Sequence, residues 1–190
     1  MPALTEMHPL SNRIKIATSP EKLDKASPKY VGFYMKYASF VFRTLKRPSF
    51  QEFLLWMLRS ENIEEQTVRD VKVRVFPFRR KNGNGLVGNC NASRGRIQIY
   101  PKTLKPCKEL IHELGKDTFI LYAGSRARAA LIHEILHLKY ADDEEKVREL
   151  TKEYFEVFAR KRPAQSSHVP HIYNMIFRTQ AAENVLKFDE

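Results

Sequence analysis

The sequence predicts an α+β domain in which a small sheet packs against helices. Three patterns carry this expectation. Residues 126–140 and 143–162 repeat apolar side chains at helical spacing. Residues 71–78 (VKVRVFPF) alternate Val71, Val73 and Val75 with Lys72, Arg74 and Phe76, the period of a strand with one wet face. Residues 29–47 bring Phe33, Tyr37, Phe40 and Val41 to one helical face. At 190 residues, 43% hydrophobic and 29% charged, the chain is long enough to build one core.

Residues 1–28 contain Pro2, Pro9, Pro20 and Pro28 with little apolar periodicity, and read as an arm. The domain spans 29–162, and 163–190 form a tail that docks on it. Pro48 ends the first helix, and Ser49 caps a second, Phe50–Arg59, with Phe53, Leu54 and Met57 inward. Aromatics interleaved with lysine can stack on bases, but at helical spacing they read as core. After the strand at 71–78, Asn82-Gly83-Asn84-Gly85 is a turn signal. Leu86–Asn91 and Gly95–Tyr100 follow as strands, joined through Asn91–Arg94. Pro101 closes the last, which suits an edge strand. The sheet therefore has three to four strands, mainly antiparallel or mixed.

Residues 107–116 read as a short helix, and Phe119–Tyr122 is open between a fourth strand and a helix start. Ser125 precedes the helix Arg126–Tyr140. The next helix, Asp143–Arg162, aligns Val147, Leu150, Tyr154, Val157 and Phe158 in one stripe. Pro163 stops it. A last short helix from about Ile172 docks the tail through Ile172, Met175, Ile176 and Val185.

The net charge of +11 is uneven. Residues 69–108 hold eleven basic side chains and one acid, Asp70, whereas 141–156 are net −4. The basic block fits either a nucleic-acid or acidic-partner surface, or a sheet edge guarded against pairing. No apolar run approaches the ~20 residues of a membrane span, and the N-terminal MPALTEMHPLSNRIKI lacks the apolar core of a secretory signal. Two cysteines, Cys90 and Cys107, form neither a disulfide framework nor a four-cysteine zinc ribbon. The expected setting is the cytoplasm, without a membrane partner.

The element with chemical meaning is His133-Glu134-Ile135-Leu136-His137. On a helix, residues i and i+4 stand one above the other, so both imidazoles reach one ion. Zinc takes such nitrogens and keeps an open position for water when it is catalytic. Glu134 then falls beside that water as a general base. Ala127, Leu131, Ile135 and Leu138 form the core seam of this helix, beside a stripe of Ala130, His133, His137 and Tyr140. His112-Glu113-Leu114 lacks a partner, because Lys116 stands where a second histidine is needed. A third ligand must come from outside the motif. Asp142 and Glu145 match a capping box, which leaves Asp143 as the expected ligand and Glu144 as the alternative. Glu149, solvent, His168 and His171 are further candidates.

The stretch GLVGNCNASRGRIQIYPKTLK, a spacer, and LIHEILHLKYADDEEKVRELTKEYFEVF resemble the small zincin metallopeptidases, especially the SprT-like and minimal gluzincin groups. HEILHLKY is similar to the HELxHLKY form of SprT-related proteins. The resemblance covers about residues 71–160 and implies a zincin-like domain that hydrolyses peptide bonds. In that family a third histidine stands six residues after the second; here the position is Asp143. An Asp ligand would match the aspzincin solution, and a Glu ligand the gluzincin one. Lys139 replaces the apolar residue usual two positions after the motif. The resemblance also implies that Gly95, Arg96, Ile97, Gln98 and Ile99 form the strand that pairs with an extended substrate. It makes Tyr140 and Tyr173 candidate oxyanion donors, with packing as the other reading.

The leading expectation is a zinc-dependent endopeptidase acting on protein or peptide, with proteins associated with nucleic acid among its candidate substrates. The alternatives are a basic protein that binds DNA or RNA through residues 69–108 around a structural metal site, and a latent protease whose arm or tail fills the cleft.

Overall fold

In the computed structural model, residues 14–19, 28–78, 85–160 and 171–177 are described. The elements run β1 (Ile16–Thr18), α1 (Pro28–Leu45), α2 (Pro48–Ser60), β2 (Asp70–Val73), β3 (Gly88–Asn91), β4 (Arg96–Ile99), α3 (Leu104–Tyr140) and α4 (Glu144–Arg160). A short helix, α5, covers residues 171–177. The expected α+β class holds, with helix predominating.

The sheet order is β1-β2-β4-β3. β1, β2 and β4 are parallel, and β3 runs antiparallel to β4. Two expectations are corrected here. Residues 1–28 are not wholly an arm, because Ile16–Thr18 pairs with Val71–Val73. The alternation Arg13-Ile14-Lys15-Ile16 was the available signal, and Ile14 and Ile16 are buried. Gly95–Ile99 is not an edge strand, because β4 is bonded to β2 on one side and β3 on the other. A strand paired on both sides has no free main-chain groups for a peptide. Among the described residues β3 pairs on one side only, with β4. The turn signal at Asn82–Gly85 does not join neighbouring strands, since β4 lies between β2 and β3. Residues 82–84 lie outside the described residues, as do Val185 and most of the arm and tail that a latent protease would use.

One face of the sheet is dry. Val71, Val73, Ile97 and Ile99 are almost fully buried, while Lys72, Arg96 and Gln98, their alternating neighbours, face outward. The inner face meets α1 and the C-terminal half of α3. On α1 the buried stripe is Tyr34, Tyr37, Ala38, Val41 and Leu45, one residue round from the expected one, and Phe33 and Phe40 are only partly covered. In α2, Pro48 occupies the first turn and Arg47 precedes it without a side-chain cap, so Ser49 is not the cap. Proline suits that turn because its missing N–H would be unpaired anyway.

The expected short helix at 107–116, the ambiguous 119–122 segment and the HExxH helix are one 37-residue element, α3, interrupted at Gly115 (φ 78°, ψ 163°). Glycine takes that φ without a steric penalty. Beyond the break, Leu131, Ile132, Ile135 and Leu136 are fully buried and fix the helix against sheet and neighbours. α4 buries Val147, Leu150, Thr151, Phe155 and Phe158, with Tyr154 and Val157 at the margin.

Gly95 sets the sheet's tightest backbone approach. Its φ is +57°, and a Cβ there would lie 2.0 Å from the Thr67 carbonyl oxygen. Gly95→Ala should therefore cost more than about 2 kcal/mol, from left-handed strain plus the displaced turn. The check is the midpoint of urea unfolding, which should fall with an unchanged slope.

Candidate metal centre

The site is assembled at the turn between α3 and α4. His133 and His137 stack along α3 as the i, i+4 spacing requires, with ring centroids 4.8 Å apart. Their Nε2 atoms approach to 3.2 Å. Glu144, the first residue of α4, brings one carboxylate oxygen to 3.7 Å from His133 Nε2 and the other to 3.5 Å from His137 Nε2. These three side chains are the group among the described residues whose donor atoms converge, all within 4.8 Å.

Asp143, the expected third ligand, is drawn into another task. Its Oδ1 accepts the Lys146 backbone N–H at 3.0 Å, and its carbonyl accepts Val147 N–H. It is the N-cap of α4, which also displaces the Asp142 and Glu145 capping box. Capping by residue 143 rotates residue 144 toward the histidines, so the alternative, Glu144, faces them. Glu149 pairs with Lys146, His171 is exposed on α5, and His168 lies outside the described residues.

Acceptors behind the rings orient both histidines. The Thr151 hydroxyl donates to Val147 O at 2.6 Å, so its oxygen is left to accept from His133 Nδ1 at 3.4 Å. His137 Nδ1–H donates to the Ala141 carbonyl at 2.5 Å. With Nδ1 turned to an acceptor in both rings, both Nε2 atoms face the same point, that of His137 toward the Glu144 carboxylate. Ala141 holds its carbonyl there at a cost: its φ is +46° and ψ −112°, a turn position that favours glycine. Asp143 N–H to Tyr140 O, 2.9 Å, closes the turn.

Electrostatics match the donor set. Burial pushes His133 down to about 4, against the pull of Glu144, so this ring is neutral at neutral pH. The hydrogen bond to His137 holds Glu144 down, at about 2. The same bond raises His137. The spacing also fits zinc. Nitrogens held 2.0–2.1 Å from a tetrahedral ion are about 3.3 Å apart, close to the observed 3.2 Å.

Glu134 is 6% exposed and lies against β3. A Cβ on Gly88 would fall 2.5 Å from its Oε1, so only glycine leaves that carboxylate its place. Cys90, two residues along β3, is pushed up to about 12 by burial and by Glu134, and stays a neutral thiol. The two tyrosines are engaged elsewhere. Tyr173 packs with Phe155 and Phe177. Tyr140 donates to Glu61 Oε2 at 2.6 Å.

Glu61 is the residue the sequence did not disclose. α2 ends with Asn62 at φ +53° and Ile63 N–H bonded to Leu58 O at 2.8 Å, a Schellman-type close that leaves Glu61 at the C-cap. Its side chain, 9% exposed, accepts from Lys139 Nζ at 3.0 Å, from Tyr140 and from Tyr154 of α4. Burial raises its pKa, but the hydrogen bonds outweigh burial and hold the carboxyl below the usual range. An isolated Glu after a helix carries no pattern that marks this role.

Two outcomes are expected. Asp143→Ala should cost about 1 kcal/mol through the lost cap and retain metal. Glu144→Ala should weaken zinc binding at least about tenfold with little change in stability. Competition titration with a chelator and thermal unfolding separate the two. A depressed carboxyl contributes stability that is present above the ordinary glutamate pKa and lost as pH falls through its folded value. Glu61→Gln should therefore lower stability by about 1.5–3 kcal/mol at neutral pH and flatten the acid side of the stability–pH curve, measured by denaturant melts.

No family model matches this chain, and no curated protein and no solved structure matches it.

Proposed function

We propose that this chain is a zinc-dependent endopeptidase of the SprT-like or minimal gluzincin kind, with a zincin-like fold and His133, His137 and Glu144 as ligands. The observation that carries the reading is the convergence of two oriented Nε2 atoms and one carboxylate at the separations of a tetrahedral site. Bound zinc would acidify a water and polarise the peptide carbonyl.

Glu134 takes the attacking water's proton and passes it to the leaving amine nitrogen. Its low exposure keeps competing solvent away from the carboxylate. The open side of β3 holds the substrate main chain extended beside Glu134. This edge replaces β4 in that role, because the same Gly88 that makes room for Glu134 lies on it. The substrate is thus a protein or peptide in extended form.

A cytoplasmic setting belongs to this reading, since Cys90 and Cys107 are both free thiols. No helix among the described residues is long and apolar enough to cross a membrane. DNA or RNA binding through residues 69–108 is the second reading, favoured by the exposure of Arg69, Arg94, Arg96, Lys105 and Lys108.

Purified protein should carry about one zinc per chain, by the three-ligand count. Glu134→Gln should keep the zinc and lose about 10²–10⁴ in kcat on an unfolded protein substrate. Gly88→Ala should likewise lower kcat with zinc retained, because its Cβ displaces Oε1. Metal analysis and turnover on the same samples check this, and unchanged turnover in Glu134→Gln overturns the mechanism.

A further inference from the structure

The β3–β4 turn gathers three arginines that have no local counter-charge. Gly95 lies against residues 67–70, with Arg69 N–H and Asp70 N–H both donating to its carbonyl, at 2.9 and 3.2 Å. Arg94 and Arg96 flank that glycine, and Arg69 Cγ is 3.2 Å from where its Cβ would be. All three arginines are exposed, and among the described residues none has a carboxylate within ion-pair distance. Neighbouring acids are engaged elsewhere. Asp70 pairs with Lys72 at 3.3 Å, Glu65 with Arg59 at 3.3 Å, and Glu64 accepts from Gln66 at 2.5 Å. The backbone thus brings three exposed basic residues to one end of the sheet, where their mutual repulsion is unfavourable to folding. Guanidinium groups so held are suited to carboxylates, which they bind through paired hydrogen bonds.

We infer that Arg69, Arg94 and Arg96 bind the carboxylates of an acidic peptide segment that lies along β3. Asn91, the last residue of β3, is the register partner of Arg96, and Gly88 at its other end lies against Glu134. Three steps along the strand separate them, about 10 Å. A peptide laid on the open edge turns alternate side chains to the outer face, where Asn91 and Arg96 stand. Acidic residues about 10 Å from the reacting bond would then reach the arginines. A single-stranded nucleic acid would need aromatic platforms beside these charges. Trp56 packs on Phe53 and Tyr154, and Phe78 on Tyr100 past the opposite end of β4. The assignment to peptide rests on the peptidase reading for its direction along β3; the binding itself does not.

The test uses full-length Glu134→Gln protein and a labelled extended peptide with two glutamates at alternate positions, followed by fluorescence anisotropy. Replacing both glutamates by glutamine should weaken binding about tenfold or more. Arg94→Ala with Arg96→Ala should do the same, and should leave thermal stability equal or higher because repulsion is relieved. Arg69→Gln, read separately, serves if the double variant is poorly folded. Equal binding of the acidic and glutamine peptides overturns the inference. An unlabelled oligonucleotide that displaces the peptide and outbinds it also overturns it, in favour of nucleic acid. If wild-type protein neither holds zinc nor cleaves, yet acid-dependent binding persists, the peptidase reading fails and this one stands. If it cleaves both peptides with equal kcat/KM and binds them equally, the reverse holds.

Discussion

Burying the Glu61 carboxylate carries a desolvation penalty that only its donors offset. Those donors come from two other helices: Lys139 and Tyr140 at the end of α3, and Tyr154 on α4. The C-cap of α2 is thereby tied to both sides of the turn that carries Ala141, Asp143 and Glu144. That tie adds to the turn's own hydrogen bond, Asp143 N–H to Tyr140 O, in fixing the direction in which α4 leaves α3. Aromatic packing of Phe50, Phe53 and Phe158 supports the same junction but is less directional. This buried charge thus braces the junction at which Glu144 meets the histidines.

The turn itself shows how strain and hydrogen bonding share a task. Ala141 sits where glycine would be easier, and its carbonyl is spent on His137 Nδ1. Thr151, one α4 turn beyond Val147, performs the same service for His133. Both rings are oriented from behind, by an acceptor that cannot donate to them in return. The front nitrogen of each ring, Nε2, is left facing the other ring and Glu144. Two imidazole nitrogens and a carboxylate facing one point are a donor set that could hold a cation.

The sheet brings a second constraint. β4 is interior, so Arg96 on its outer face and the glycine turn before it are fixed by pairing on both sides. Among the described residues, β3 pairs on one side only and lies beside Glu134. The charge excess of residues 69–108 is therefore not one uniform surface. Lys72 is neutralised by Asp70 and Arg74 bonds to Ser19, while Arg69, Arg94 and Arg96 gather at one end of the edge.

Sequence by itself determined the α+β class, the helical course of 126–140 and 143–160, and the alignment of His133 and His137, because these follow from periodicity within single segments. It also located the basic block, since composition needs no coordinates. It misplaced β4 at an edge, because alternation marks a strand but not its neighbours; pairing order is a long-range property. It chose Asp143 over Glu144, because one residue on a helix turns a side chain by about 100°, and only the capping bond at Lys146 fixes that phase. Glu61 and Thr151 left no trace in the pattern: their roles exist only where three helices meet. Tertiary structure decided which carboxylate faces the histidines, which strand lies at the sheet's end and which arginines share one end of the sheet, because each depends on how separate elements meet.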